Sequence, residues 1–280
     1  MDQRILGDFR ITLIRAGIYY WDGGVLFGVV PKALWSRLIE PDELNRIPLG
    51  FNCYVIETGS QTILWETGGG NRMDKRSLDR LRLPDPPPSL PEILAQSGFD
   101  PESFDTVINS HLHWDHCGWN TETHDGVVEP CFPNAMYYAQ RAEWEYAHTR
   151  HPRDGVSYID DNYDPLVDSG QMSLLDGDGE IVPAIRGDVA AGHNRDMMVL
   201  RAHSGGETFC FLADLMPTAA HVTPTWVTAF DLYPLESVNN KLKWLEMAAR
   251  EEWLMGFSHE CKLAFGRVVE RDGKFSISPA

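Results

Sequence analysis

The run His111-Leu112-His113-Trp114-Asp115-His116 places four metal-ligating side chains within six residues. Alternate residues of an extended chain point to the same side, so His111 and His113 can converge on one ion. Asp115 and His116 come after the chain turns and can face a second ion. Imidazole suits zinc, and the carboxylate extends the choice to manganese, cobalt or iron. The chain has only ten histidines, and three of them lie in this run. This concentration predicts a metal site rather than a His-rich surface loop.

Three further donors follow apolar, strand-like runs elsewhere in the chain. His193 lies in a glycine-containing loop, Asp214 ends the run at 209–213, and His259 follows the run at 253–258. Functional side chains are often found on loops that a rigid scaffold positions. A single residue of this kind would be typical of a polar side chain whose hydrogen bonds are made within the fold. Their regular placement after strands predicts that all three are metal ligands.

Composition restricts the class of protein and its partners. The 280 residues are 43% hydrophobic and 23% charged, which excludes a disordered or fibrous chain. Lys plus Arg number 24 against 41 Asp plus Glu, a net charge of −17. This charge repels nucleic-acid phosphates and anionic lipid, so neither nucleic acid nor a membrane is expected as a partner. The expected partner is a small molecule.

The cysteines and the first residues of the sequence indicate the compartment. Five cysteines are scattered along the chain without a CxxC pair, which fits reduced thiols better than a disulfide framework. The first eight residues lack the pattern of a signal peptide. No apolar run approaches the length of a membrane span. We therefore expect a soluble, cytoplasmic protein.

In the first half, strands lead to the His-rich run. Residues 51–57 and 62–66 predict a hairpin whose turn lies at 58–61. A proline cluster at 84–88 predicts a loop. Ser89 and Glu92 have the spacing of a capping box and open a helix that extends over 93–96. The apolar run at 104–108 predicts a buried strand directly before the ligand run.

The second half has a similar pattern. Residues 181–186, 197–202 and 208–213 predict strands, and the turn at 204–207 joins the last two as a hairpin. Ser237 is predicted to cap a helix with one apolar face, and residues 253–257 predict a further strand. Neither a sequence repeat nor a linker is present. We therefore predict one domain over 1–280, built from two strand-rich halves.

The order of the ligands resembles the metallo-β-lactamase superfamily over nearly the whole chain. The resemblance implies an α/β fold, an αββα sandwich of two mixed β-sheets flanked by helices. It also implies two divalent transition-metal ions, with zinc as the first choice and manganese, cobalt or iron as alternatives. The ligands it implies are His111, His113 and His193 for one ion, Asp115, His116 and His259 for the other, and Asp214 bridging both.

A closer resemblance is carried by residues 22–35, 213–218, 226–234 and 241–244. These stretches resemble the YtnP-like quorum-quenching lactonases, a branch that also resembles the methyl parathion hydrolases. The branch implies hydrolysis of N-acyl-homoserine lactones or related esters. Three positions depart from the family pattern. Glu66 replaces a supporting aspartate, and Asp196 and Met197 follow His193 where the family often has a further Gly or His. Pro217 replaces a tyrosine that contacts the lactone carbonyl in typical acyl-homoserine lactonases.

The predicted mechanism is metal-assisted hydrolysis. A metal ion lowers the pKa of bound water far below that of bulk water, to about 7, so a metal-bridging hydroxide is expected to attack the ester carbonyl. Asp214 is predicted to bridge the ions, and Asp115 to pass a proton to the leaving oxygen. The side chains predicted to line the substrate pocket are His221, Trp114, Phe27 and Trp226.

Several other functions use the same fold. The main alternative is an organophosphate or aryl ester hydrolase on the same two-metal site. A non-catalytic, metal-binding member is a second alternative. A glyoxalase II-type thioesterase needs a basic patch, for which Lys241 and Lys243 are a thin candidate, and the net charge disfavours a ribonuclease. A β-lactamase would normally carry a signal peptide. Oligomeric state is open, with a homodimer as one possibility.

Overall fold

The computed structural model describes residues 2–280, which divide into two compact units. Unit 1 comprises the described residues up to Gly17 together with Phe51–Gly177. Unit 2 comprises Ile18–Gly50 and Asp178–Ala280. The boundaries cut two long strands, so each unit is formed from separate stretches of chain. The single domain expected from the sequence stays a prediction.

Sixteen strands are found among the described residues. The first nine are β1 Asp2–Leu6, β2 Phe9–Asp22, β3 Arg46–Glu57, β4 Thr62–Trp65, β5 Thr106–Ile108, β6 Thr121–His124, β7 Val127–Pro130, β8 Met136–Gln140 and β9 Met172–Leu175. The others are β10 Gly179–Val182, β11 Ile185–Val189, β12 Met198–Ser204, β13 Glu207–Phe211, β14 Leu254–Gly256, β15 Gly266–Arg271 and β16 Lys274–Pro279.

Within residues 2–280, eight α-helices connect the strands. They are α1 Gly23–Phe27, α2 Lys32–Trp35, α3 Lys75–Leu81, α4 Leu90–Gln96, α5 Trp114–Cys117, α6 Arg141–Ala147, α7 Asp164–Asp168 and α8 Pro234–Arg250. All but α8 are two turns or shorter. Residues 2–280 contain no helix with the length and hydropathy that crossing a bilayer requires.

The first large sheet has the strand order β1-β2-β3-β4-β5-β8-β9. Strands β3 and β4 form the predicted antiparallel hairpin, in which Glu57 pairs with Thr62. Strands β4, β5, β8 and β9 then run parallel to their neighbours. All three residues of β5 are buried, as expected of a central parallel strand. The loop after β5 carries the His-rich run.

The second large sheet has the order β10 to β16, without a change in sequence order. Strands β13 and β14 pair in parallel, and α8 lies between them in the chain. The other neighbours are antiparallel. Both sheets are therefore mixed, and short helices accompany each. The expected class, α/β with two mixed sheets flanked by helices, is confirmed.

Two local predictions were wrong. Residues 181–186 form the end of β10 and the start of β11 rather than one strand, because Ala184 takes a left-handed conformation (φ 67°) in the turn between them. Ser237 does not cap α8. It lies inside the helix, which begins at Pro234, and its hydroxyl donates to the Tyr233 carbonyl. Proline suits the first helical turn because it has no amide hydrogen to satisfy.

A close backbone approach in unit 1 fixes the loop after β4 against the end of α5. The Gly118 amide donates to the Gly68 carbonyl at 2.7 Å. A Cβ atom at Gly118 would overlap the backbone of Gly69 and Gly70. Backbone atoms cannot swing aside as a flexible side chain can. Glycine is therefore required where α5 leaves the His-rich run.

Gly118→Ala is predicted to destabilise the protein. Forcing the two backbone segments apart should lower the free energy of unfolding by about 1–3 kcal/mol, or more if the loop cannot move. Urea unfolding of the two proteins measures the difference. Gly179→Ala is the control, since a Cβ there meets no atom within 4 Å. Equal stability of the two variants would contradict a close approach at Gly118.

Candidate metal centre

Unit 1 holds the four donors of the His-rich run. His111 and His113 lie in the loop that follows β5, and Asp115 and His116 lie in α5. The three imidazoles are buried, with 1–8% of their surface exposed. Nε2 of His111 is 3.1 Å from Nδ1 of His113. Nε2 of His116 is 3.9 Å from Oδ1 of Asp115.

The buried carboxylate of Glu66 holds both ends of this run. Its Oε1 accepts the amide of Ser110 at 2.8 Å, and its Oε2 is 3.1 Å from Nδ1 of His116. Only 2% of Glu66 is exposed. An imidazole whose Nδ1 bonds a carboxylate presents Nε2 for ligation, as metal-binding histidines do. The longer glutamate thus supplies the support expected of an aspartate at this position.

A second buried carboxylate, Glu143 of α6, supports the middle of the run. Its Oε1 accepts the Leu112 amide at 3.1 Å and the Tyr158 hydroxyl at 3.0 Å. The ring of Tyr158 lies edge-on to His113, with centroids 4.8 Å apart. Neither residue is among those predicted from the sequence. Neither falls in a motif, and Glu143 is 31 residues from the amide it accepts.

Buried amide side chains complete the support of α5. The Asn109 side chain donates to the His116 carbonyl at 3.1 Å, and the Thr67 amide donates to the same carbonyl at 2.7 Å. Asn120 donates to the side-chain oxygen of Asn109 at 2.8 Å. The first two bonds satisfy the His116 carbonyl of a helix only four residues long.

Unit 2 holds the other three predicted donors. His193 lies in the loop between β11 and β12, Asp214 in a 3-10 turn after β13, and His259 after β14. Oδ2 of Asp214 is 3.5 Å from Nε2 of His193. Its other oxygen, Oδ1, is 3.3 Å from Nε2 of His259 and accepts the Ser258 hydroxyl at 2.8 Å.

The two histidines of unit 2 are oriented through Nδ1, as His116 is in unit 1. Nδ1 of His193 is 3.2 Å from Oδ1 of Asp231, and Nδ1 of His259 is 2.9 Å from the Gly50 carbonyl. The Thr228 hydroxyl donates to the same oxygen of Asp231 at 2.7 Å. Asp231 was missed because it lies 38 residues from His193, in a loop without a recognisable pattern.

Both donor sets fit transition-metal ions. Ligands bound tetrahedrally to zinc at about 2.0–2.1 Å lie roughly 3.3 Å apart, close to the 3.1 Å between His111 and His113 and the 3.3 Å between Asp214 and His259. In unit 2, Asp214 directs one oxygen at each imidazole. A carboxylate arranged in this way can bridge two ions. Neutral imidazole and carboxylate are the donors that zinc and its neighbours take.

The residues predicted to line a substrate pocket are packed against other aromatic rings. In unit 1, Trp114 lies edge-on to Phe51. In unit 2, Phe27 is fully buried and is stacked between Trp35 and His221, with centroids at 5.1 and 4.6 Å. Trp226 meets Phe27 edge-on. Contact of these side chains with a substrate stays a prediction.

His221 is held through both ring nitrogens. Nε2 is 2.8 Å from the Leu26 carbonyl and therefore carries the hydrogen, while Nδ1 accepts from the Thr218 hydroxyl at 2.8 Å. Burial, together with the nearby Lys241 charge, lowers its pKa to about 4. The ring is therefore neutral at pH 7. It joins the end of α1 to the turn at 219–222.

Lys241 of α8 is a buried cation that donates to backbone. Its Nζ bonds the carbonyls of Trp226 at 2.6 Å and His221 at 3.2 Å. Burial lowers its pKa to about 7, against the opposing effect of Asp231. Lys241 was considered above as part of a basic patch. Its complete burial removes it from any such surface, so it is not a candidate for the patch that a glyoxalase II-type thioesterase needs.

A further His and carboxylate cluster lies in unit 1, at His148, Asp160 and Asp164. Nε2 of His148 is 3.0 Å from Asp164, and Arg150 pairs with Asp160. The arginine already supplies a positive charge to this cluster. Its bonds join the ends of α6 and α7.

Comparison with known families and proteins gives a consistent result. The model of the family described as "Metallo-beta-lactamase superfamily" matches residues 47–259. An N-acyl homoserine lactonase of Bacillus sp is 28% identical over 170 residues, which are 56% of this chain and 59% of that protein. This chain thus matches less than two thirds of that relative's length.

Solved structures extend the likeness to the whole chain. A probable metal-dependent hydrolase from Staphylococcus aureus is 27% identical, with a TM-score of 0.89 over 99% of both chains. AidC, described as a dizinc quorum-quenching lactonase in complex with a product, is 19% identical, with a TM-score of 0.81 over 100% of this chain and 97% of that one. At that identity the likeness concerns the fold alone.

Burial of His221 is predicted to make the free energy of unfolding depend on pH. Its folded-state pKa of about 4 lies below the ordinary 6.5, so the unfolded chain binds more protons between these values. The free energy of unfolding should therefore fall as pH drops from 6.5 to 4, by up to about 3 kcal/mol from this residue. Urea unfolding at several pH values measures the slope.

His221→Phe should flatten that slope relative to the unsubstituted protein. Other histidines titrate in both proteins, so their contribution cancels in the comparison. His203→Phe, at an exposed position, is the control and should leave the slope unchanged. Equal slopes in the unsubstituted protein and His221→Phe would show that His221 is not held neutral.

Proposed function

Because this chain belongs to the metallo-β-lactamase superfamily, we propose that it is a metal-dependent hydrolase that opens lactone rings, with N-acyl-homoserine lactones as the first candidates. The observation that carries the proposal is the Asp214 carboxylate, with one oxygen toward each of two Nδ1-anchored histidines. That geometry supports the assignment of Asp214 as a ligand shared by two ions. The resemblance to an N-acyl homoserine lactonase supports the substrate class.

Two divalent ions, zinc first among them, would be held by seven side chains. One ion would take three histidines and the other a carboxylate with two histidines, and the Asp214 carboxylate would serve both. The proposed sets are His111, His113 and His193 for the first ion and Asp115, His116 and His259 for the second. The donor chemistry and the anchored Nδ1 atoms support this assignment.

The ions would supply activated water near neutral pH and polarise the substrate carbonyl. The protein supplies orientation and proton transfer. Asp115, partly exposed beside buried imidazoles, would accept the proton of the attacking water and pass it to the leaving ring oxygen. Ser258 fixes Asp214 through a 2.8 Å bond. No serine or cysteine nucleophile is required.

Pro217 gives a further constraint on the substrate. A proline offers neither a hydroxyl nor an amide hydrogen at the position where typical acyl-homoserine lactonases have tyrosine. The lactone carbonyl would therefore receive no hydrogen bond from residue 217. Aryl and phosphate esters, which the same ions could polarise, are consequently included in the test.

Metal-dependent lactone opening is the first prediction of this proposal. The protein loaded with zinc, manganese or cobalt should release protons from acyl-homoserine lactones, and a chelator should abolish the release. Asp214→Asn removes the bridging charge and should lower kcat by at least 100-fold, because both ions depend on it. Proton release followed at constant pH, with γ- and δ-lactones and paraoxon alongside, measures the rate.

The outcomes separate the candidate functions. Cleavage of paraoxon with lactones untouched would assign the protein to phosphotriester hydrolysis. Inertness toward every ester, with two ions bound, would favour a non-catalytic member. Full activity in Asp214→Asn at full metal occupancy would remove Asp214 from the proposed centre. The metal content of each variant must therefore be determined together with its rate.

Glu66→Gln is predicted to weaken metal binding. The amide nitrogen of glutamine would donate to Nδ1 of His116, which then places the hydrogen on Nε2 and blocks ligation. Loss of such a support typically costs about 10–100-fold in metal affinity. Competition against a chromophoric chelator measures the change. Glu57→Gln, at a partly exposed glutamate that pairs with Arg10, is the control and should bind metal normally.

Unchanged affinity in Glu66→Gln would mean that the carboxylate only supports the backbone at Ser110. In that case Glu66→Ala, which loses the Ser110 bond as well, should lower the free energy of unfolding without changing the competition curve. The two variants together distinguish support of the ligand from support of the loop.

A further inference from the structure

Two adjoining clefts of opposite character lie within unit 2. The first, of about 340 Å³, lies between the turn at 219–222, β16 and residues 259–262, a segment that begins with the proposed metal ligand His259. Its wall is largely apolar and includes Ile39, Val222, Phe275 and Ile277. A cleft of this size and lining is typical of a site for a small apolar group.

The second cleft, of about 530 Å³, is lined mainly by polar residues. Three cations, Lys32, Arg37 and Lys262, surround it, against one carboxylate, Glu40, among the described residues of its wall. In a chain with a net charge of −17, this local excess of positive charge is unusual. Within residues 2–280, none of the three cations forms an ion pair. The second cleft is therefore able to receive an anion.

Leu38 and Lys262 line both clefts and join them. Glu260, in the wall of the first cleft, accepts the backbone amides of Ala219 at 3.1 Å and Lys262 at 2.9 Å. Its carboxylate is thus bonded to backbone rather than to the Lys262 ammonium. A ligand that extends across the junction would meet apolar side chains at one end and cations at the other.

We propose that the joined clefts bind an amphiphilic monoanion, an alkyl carboxylate whose chain lies in the first cleft and whose head lies among Lys262, Arg37 and Lys32. Burial of the chain provides the affinity, and the cations select the charge of the head. Two sources share this chemistry: a fatty acid, and the ring-opened acyl-homoserine that the proposed activity would release. The site itself does not depend on that activity.

The test is calorimetric titration of the metal-loaded protein at 0.15 M salt. Octane-1-sulfonate is the main probe, because a sulfonate is a poor zinc ligand and reports little on the metal centre. Affinity should rise from hexane- to octane- to decane-1-sulfonate, by up to about fourfold per methylene. Octan-1-ol, which lacks the charge, should bind more weakly than octane-1-sulfonate.

Variants locate the site. Lys262→Glu combined with Arg37→Glu should raise the Kd for octane-1-sulfonate at least tenfold, and Ile277→Asn should reduce the gain per methylene. Arg271→Glu combined with Lys274→Glu is the matched control, with the same change of charge at two exposed residues that line neither cleft. This control should change the Kd less than twofold.

Three results would overturn the proposal: no binding, affinity independent of chain length, or equal weakening in the control pair. Each of these results is a binding measurement that involves no turnover. Failure of this proposal can therefore be distinguished from failure of the lactonase assignment. Octanoate and ring-opened hexanoyl-homoserine then identify the source. Tighter binding of the acyl-homoserine supports a product site, and equal or tighter binding of octanoate supports a fatty-acid site.

Discussion

The bonds from the buried Glu66 carboxylate to Ser110 and His116 are the constraint on which unit 1 depends. A carboxylate withdrawn from water must be paired or bonded, since an isolated buried charge is very costly. Glu66 meets this need with an amide at one end of the ligand run and an imidazole at the other. The bonds that offset the cost of burying Glu66 also fix the seven residues of loop and helix from Ser110 to His116. Glu143 repeats the arrangement at the middle of the run.

In unit 2, other groups orient the predicted ligands. Asp231 and the Gly50 carbonyl orient the two histidines, and Asp214 is held between them by Ser258. The surrounding loop, from 215 to 233, has little regular structure, and its backbone carbonyls need donors. Lys241 supplies them from α8, and the neutral His221 ties the loop to α1 through Leu26. Buried polar groups, rather than an extension of the sheet, give this loop its shape.

These arrangements explain what the sequence could and could not predict. The hairpin of β3 and β4 and the buried β5 follow from apolar runs and local turn residues, so they were predicted within a few residues. The position of the His-rich run directly after a strand was predicted from the same apolar run that predicts β5. The error at 181–186 arose because an alanine, which rarely adopts positive φ, makes the turn. The supports Glu143, Tyr158 and Asp231 depend on pairings 15–38 residues apart, which no local pattern reveals.

Charge connects the proposed chemistry with the cationic cleft. A lactone is neutral, so a field set by −17 charges does not oppose its approach, whereas the carboxylate formed on ring opening is repelled at long range. Repulsion of this kind is screened within about 8 Å at physiological salt, so a local cluster of cations can still attract an anion against the overall charge. Lys262 and Arg37 form such a cluster beside an apolar cleft. The overall charge therefore favours departure of short acids, and the apolar cleft would retain only those with a chain long enough to be buried.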